Sequence, residues 1–303
     1  MALAASTAFA QKSELPIYQI RVGDQMRSYS LDQPHADRAH ARLPIIIYLH
    51  GVGTHITDTL EIRYNMPFAK LPGLEAALIV YPQGADRNWD SIPGRIDTWH
   101  RLSDINGEQV DDIGFLRALI ADLVTHYNGD AARVYVVGVS AGGYMTARVA
   151  CELGDSVTAV ADVIATAHRS QLRDCPNSRP IPFLLLASTT DPVNPYAGRA
   201  GDEVSDLASA VETVSFFVQH NGCTSRREEP LPHLDRDVPS TVTLTRYADC
   251  AQGADVLFYR VDGSGHSVPS TAPPEPGSWE ANGARNRDIE TAQVVWSFFQ
   301  ERR

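Results

Sequence analysis

Long apolar runs are absent. No stretch of the 303 residues approaches the roughly 18 consecutive apolar positions that a bilayer-spanning helix needs. Positive charge is scarce: 26 Lys and Arg stand against 37 Asp and Glu, for a formal net charge of -11, and no Lys/Arg-rich stripe breaks the balance. Such a surface repels phosphate backbones and anionic bilayers, so neither nucleic acid nor a membrane is expected as a partner. Cysteine is also sparse. None of the four lies in a Cys-x-x-Cys pattern, which argues against zinc and thioredoxin-type chemistry; no metal and no organic cofactor is expected. There is no internal repeat and no domain-sized change in composition, so residues 11–303 are expected to form one domain.

What is present is an ordinary globular balance, 43% hydrophobic and 21% charged, enough for a substantial core. Residues 1–10 are small and apolar and end in Ala8-Phe9-Ala10, which fits the tail of a signal peptide and its cleavage site. Four cysteines permit three pairings. The local one, Cys151 with Cys175 and Cys223 with Cys250, is favoured; two disulfides agree with secretion to an extracellular or periplasmic space. The alternative is four buried thiols acting as small hydrophobes.

Ile17 to Val22 and Met26 to Leu31 flank Gly23-Asp24 and predict an antiparallel hairpin. Continuous apolar runs then follow at Pro44–Leu49, Ala77–Tyr81, Arg133–Val137, Val157–Ile164, Pro182–Ala187 and Val256–Val261, as in strands buried on both faces of a parallel sheet. Helical spacing separates them. Ile113, Leu116, Ile120, Leu123 and Tyr127 predict a helix over Asp112–Tyr127, with Asp111 and Asp112 suited to its N-terminus. Others are expected after Ser140, over about Val204–His220 and over about Arg287–Gln300. The alternation specifies an α/β fold, a three-layer sandwich with a mostly parallel central sheet. Long loops are expected at Gly84–Glu108, Arg226–Ser240 and Ser267–Gly283.

The strongest chemical signal is Gly138-Val139-Ser140-Ala141-Gly142, set between an apolar strand and a helical segment. A strand-to-helix turn this tight requires small flanking residues and pushes the serine hydroxyl clear of the sheet. A serine hydroxyl needs a base. With the order serine, acid, histidine, the base is His266, on a Gly-rich loop after the last strand, ahead of His168, His220 and His233. The acid is Asp191, after the strand ending at Ala187, ahead of Asp202, Asp206 and Asp262. Two backbone N–H groups are required for the oxyanion: that of Ala141, and one from His50-Gly51-Val52-Gly53, assigned to Val52. His50 precedes the serine in the chain and is read as structural.

The sequence resembles the secreted polyhydroxybutyrate depolymerase and feruloyl esterase group of the α/β-hydrolase superfamily over nearly its whole length. The resemblance is carried by Leu49-His50-Gly51, Tyr81-Pro82-Gln83-Gly84, Asp111 to Leu116, Arg133 to Met145, Asp191 to Gly198, Asn221-Gly222-Cys223, Gly265-His266 and Val295 to Phe299. It implies an α/β-hydrolase fold, a serine carboxylesterase with Ser140 as nucleophile, Asp191 as acid and His266 as base, and the pairing Cys223–Cys250. It also implies a small-molecule or polymeric ester as substrate. The chain departs from the group's pattern in Ser188-Thr189-Thr190 before the acid. It departs again after the histidine, where the chain reads His266-Ser267-Val268-Pro269-Ser270 and Val268 replaces a tryptophan that commonly lines the group's cleft. Trp89, Trp99, Tyr196, Val268 and Trp279 are the candidate substrate contacts; for the tryptophans, buried loop anchors are the other reading. A prolyl-oligopeptidase-type peptidase and a non-catalytic binding protein on this fold are the rival functions.

Overall fold

The computed structural model describes residues 15–33, 41–56, 66–74, 76–92, 110–176, 179–202, 205–272 and 282–302. Residues 1–10, expected as a signal-peptide remnant, and Trp99 and Trp279 lie outside these residues. Among the described residues no helix is long and apolar enough to cross a membrane.

The hairpin forms as β1 (Ile17–Val22) and β2 (Gln25–Asp32), turning at Gly23 with φ of 58°. Six further strands fall on the apolar runs: β3 (Leu43–Leu49), β4 (Leu78–Pro82), β5 (Gly129–Val139), β6 (Ala159–Val163), β7 (Phe183–Ser188) and β10 (Val256–Asp262). They run parallel in the order β4-β3-β5-β6-β7-β10. Their side chains alternate between two cores, so both faces must be apolar. Ile45, Ile47 and Leu49 enter one core, and Ile46 and Tyr48 the other.

The first core lies under α1 (Asp112–His126), α2 (Ala141–Glu152) and α4 (Ala210–His220). The second lies under α5 (Thr291–Gln300), whose Val295, Trp296, Phe298 and Phe299 are all buried. A short helix, α3 (Arg169–Arg173), follows β6. Helix α4 starts later than its sequence suggests. Leu207 is held in a backbone bridge to Arg199, and Ser209 then caps the helix in a reciprocal box with Glu212.

The segment expected as a loop over Arg226–Ser240 is in part a strand. β8 (Ser225–Pro230) pairs antiparallel with β9 (Thr241–Ala248), and β9 pairs with β10, so the sheet gains two antiparallel strands at this edge. β8 reads Ser-Arg-Arg-Glu-Glu-Pro, with Arg226–Glu228 and Arg227–Glu229 ion pairs along it. Charge and a terminal proline are what an exposed sheet edge carries to avoid pairing with other chains.

Both local cysteine pairs are disulfides. Cys151–Cys175 ties the end of α2 to the segment after α3, and Cys223–Cys250 ties the end of α4 to the β9–β10 turn. The carboxyl ends of β3, β5, β7 and β10 all open on one edge of the sheet. The loops leaving that edge carry His50–Gly53, Ser140, Asp191 and His266.

Candidate active site

Ser140 stands at the turn from β5 into α2 with φ of 55° and ψ of -119°. A non-glycine residue in that region is strained and persists only where its surroundings hold it. The Ser140 N–H donates to the Val163 carbonyl of β6 at 3.0 Å, and the Ser140 carbonyl takes the Gly143 N–H at 2.8 Å. The turn leaves no room for a side chain at positions 138 and 142. A Cβ at Gly138 would lie 1.9 Å from the Gly142 carbonyl oxygen, and one at Gly142 would lie 2.1 Å from that of Leu49.

His266 Nε2 is 3.0 Å from Ser140 Oγ, and its Nδ1 is 2.7 Å from Asp191 Oδ2. A carboxylate only accepts, so Nδ1 carries the proton and Nε2 is left to receive one from the serine. Both residues are buried. The second carboxylate oxygen, Oδ1, accepts the N–H groups of Val193 and Asn194, each at 2.8 Å. The loops bearing acid and base are also joined to each other. Thr190 Oγ1 donates to the Ser264 carbonyl, and the Gly263 N–H donates to Thr189 Oγ1. The histidine's own loop is held by His266 N–H to the Asn282 carbonyl and Gly265 N–H to that of Ala284, both 2.8 Å.

The loop after β3 lies against the serine turn: a Cβ at Gly51 would be 3.6 Å from that of Ser140. The Gly53 N–H is taken by the Arg87 carbonyl at 2.9 Å. Among the described residues no backbone carbonyl takes the N–H of Val52 or of Ala141. His50 holds this loop from below. Its Nε2 accepts the Gly84 N–H at 3.0 Å, and its Nδ1 lies 2.7 Å from the Gly51 carbonyl. Nε2 is thereby unprotonated and Nδ1 is the donor, so His50 is engaged at both nitrogens as a structural residue.

Trp89 is corrected from a substrate wall to a buttress. It is 2% exposed and donates Nε1–H to the His50 carbonyl at 2.8 Å, with the two rings 4.9 Å apart. Val268 is likewise placed away from an open wall, buried in the core under α5. Tyr196 is half-buried with its ring stacked on Phe258 of β10. The other histidines are also placed. Burial holds His168 down to about 4, against the ring of Tyr144. His220 ends α4, and His233 sits beside the buried Asp288 carboxylate.

One carboxyl behind the serine has no counterpart in the sequence reading. Asp162, on β6, is fully buried, and neither of its oxygens has a partner among the described residues. It presses on α2, where a Cβ at Gly143 would lie 2.3 Å from Asp162 Oδ1. Burial pushes its carboxyl well above the usual carboxylate range. The folded chain therefore binds this proton more tightly than the unfolded chain does. Stability must fall as pH rises from the ordinary carboxylate range toward the raised value, by up to about 1.4 kcal/mol per pH unit. Asp162→Asn mimics the protonated acid. Its melting temperature should exceed wild type most at pH 8, with the difference shrinking toward pH 4; an equal difference at every pH would contradict the assignment.

No family model matches the chain. Among curated proteins it is similar to a putative esterase, NocK, of Nocardia uniformis subsp. tsuyamanensis, 26% identical over 292 residues, which covers 92% of this chain and 81% of the relative. It is also similar to feruloyl esterase D of Neurospora crassa, 29% identical over 287 residues, covering 92% of this chain and 83% of that one. Among solved structures, the acetyl xylan esterase from Aspergillus awamori superposes with a TM-score of 0.56 at 15% identity, over 84% of this chain and 95% of that chain. With a serine at the turn out of β5 and a parallel sheet in this strand order, the likeness establishes that the chain has the α/β-hydrolase fold.

Proposed function

We propose that this chain is a secreted serine carboxylic ester hydrolase that acts through an acyl-enzyme on hydroxycinnamoyl (feruloyl-type) esters or polyhydroxyalkanoate-type polyesters. The observation that carries the reading is the continuous hydrogen-bonded line Ser140–His266–Asp191, at 3.0 and 2.7 Å. Ser140 Oγ attacks the ester carbonyl as its proton passes to His266 Nε2. The Val52 and Ala141 N–H groups receive the developing oxyanion. The tetrahedral intermediate collapses, and the alcohol leaves with the proton from Nε2. Water, deprotonated by the same nitrogen, then releases the acid. Asp191 holds the imidazole in the needed tautomer and balances its charge. The two disulfides fit an oxidising compartment.

The feruloyl branch is supported by the 29% identity to a feruloyl esterase across most of both chains. The test is a matched panel of methyl ferulate, p-nitrophenyl acetate and butyrate, and hydroxybutyrate oligomers, with wild type and Ser140→Ala side by side. Preference for the ferulate places the substrate among hydroxycinnamoyl esters, and preference for the oligomers among polyesters. No turnover of any ester by the wild type defeats the proposal, and cleavage of an anilide without ester cleavage replaces it with a peptidase.

A further inference from the structure

Asn194 sits between Pro192 and Pro195 on the loop that follows β7, three residues after Asp191. It lies in the Asp191–Gly198 segment that carries the family resemblance, but the sequence reading gives it no role. In the fold it is 6% exposed, and both ends of its side-chain amide are engaged. Its Oδ1 accepts the hydroxyl proton of Tyr144, a residue of α2 one turn beyond Ser140. Its Nδ2 donates to the Ile164 carbonyl at 2.7 Å. Its backbone N–H donates to Asp191 Oδ1 at 2.8 Å.

These three bonds reach the three parts that must stay in register. Tyr144 belongs to the helix whose first turn carries the serine. Ile164 follows Val163, whose carbonyl takes the Ser140 N–H, and Ile164 itself holds a φ of 50°. That conformation is rare and costly for a β-branched residue, so a bond that fixes its carbonyl helps to hold it. Asp191 is the acid. Val193 also donates to Asp191 Oδ1, but its side chain is exposed and anchors nothing. The amide of Asn194 is thus the joint between the acid loop and the serine helix, made through α2 and β6 and independent of His266.

We infer that Asn194 is a positioning residue for ester hydrolysis, with Tyr144 as its partner: it fixes the Asp191 carboxylate relative to Ser140 so that the imidazole between them is held at both nitrogens. The inference rests on the acyl-enzyme reading above. Misplacement of a reacting group by an ångström costs on the order of a hundredfold in rate. Asn194→Ala removes both side-chain bonds and leaves the flanking prolines in place, and Tyr144→Phe removes one bond without emptying the site.

The experiment measures kcat and KM on p-nitrophenyl butyrate per active serine, titrated with a fluorophosphonate, alongside the melting temperature. Asn194→Ala should lower kcat per titrated serine by roughly 10- to 100-fold with KM within about twofold, and Tyr144→Phe by a smaller factor in the same direction. In an Asp191→Ala background the Asn194→Ala loss should shrink to less than about twofold, because the group it positions is gone. A merely structural role would lower the titratable fraction and the melting temperature while leaving kcat per serine unchanged. That result overturns the inference, as does an undiminished loss in the Asp191→Ala background. Should Asn194→Ala fail to fold, Tyr144→Phe carries the same comparison. Should the wild type hydrolyse no ester, the underlying reading fails instead; wild-type activity lost in Ser140→Ala but kept in full by both positioning variants overturns this inference alone.

Discussion

Ester turnover by a Ser140→Ala variant falls by roughly 10⁶-fold, and adding His266→Ala to it costs little more. On the proposed mechanism the two residues perform one act. His266 Nε2, 3.0 Å from Ser140 Oγ, has a catalytic task only while there is a hydroxyl proton to take. Removing either ends nucleophilic attack, so the losses do not add. Asp191→Ala alone should cost less, about 10⁴-fold, because the base survives in the wrong tautomer part of the time. On the proposed mechanism, what remains in every variant is the stabilisation of the oxyanion by the Val52 and Ala141 N–H groups, which does not depend on the three side chains. The measurement is kcat on p-nitrophenyl butyrate for the three single variants and the Ser140→Ala/His266→Ala pair, from a host lacking background esterase. Losses that multiply, or a Ser140→Ala variant within tenfold of wild type, would place the chemistry elsewhere.

The parts of the fold that could be read from the sequence are those whose residues have a single solution. Val134 to Val137 or Phe183 to Leu186 can only be strands with two apolar faces, and they became the centre of the sheet. β8 was missed because its residues answer to a different pressure: an edge strand is defined by the backbone pairing it makes on one side and the charge it shows on the other. The serine turn was legible because steric need forces glycine at 138 and 142. The supports of the site were not. Trp89 has the composition of a substrate wall and serves as a prop under His50. Asn194 looks like a turn residue between prolines.

Asp111 and Asp112 are the sharpest case. Both suit a helix start, and only the fold separates them. Asp111 caps α1, accepting the Gly114 N–H at 2.7 Å, while Asp112 turns inward and is fully buried. Adjacent residues of the same type, on opposite sides of a helix N-terminus, carry no sequence mark of which one faces the core.

That inward turn has a large expected cost on removal. Asp112→Ala should destabilise the chain by about 3–5 kcal/mol, the loss found when one partner of a buried ion pair is deleted. Its Oδ1 pairs with Arg27, itself 3% exposed, with the guanidinium lying 4.2 Å from the centre of the Phe115 ring. Among the described residues, the variant leaves that buried cation the Gln83 carbonyl at 3.1 Å and the Phe115 ring as its remaining partners. The other oxygen, Oδ2, accepts the Asp90 N–H at 2.7 Å, which would be orphaned as well. Asp90 in turn pairs with Arg148 of α2 at 2.9 Å, so the damage reaches the helix that begins at Ser140. It also reaches Trp89, the neighbour of Asp90, which donates to the His50 carbonyl of the loop proposed to receive the oxyanion, so kcat should fall together with stability. The discriminating comparison is a double variant, Arg27→Met with Asp112→Leu, which removes both charges and refills the space. It should recover most of the stability lost in Asp112→Ala, since a buried pair replaced by apolar groups is often neutral. Urea midpoints for wild type, the single and the double variant measure this. A single variant within about 1 kcal/mol of wild type would show that the Arg27–Asp112 pair does not hold this region of the fold.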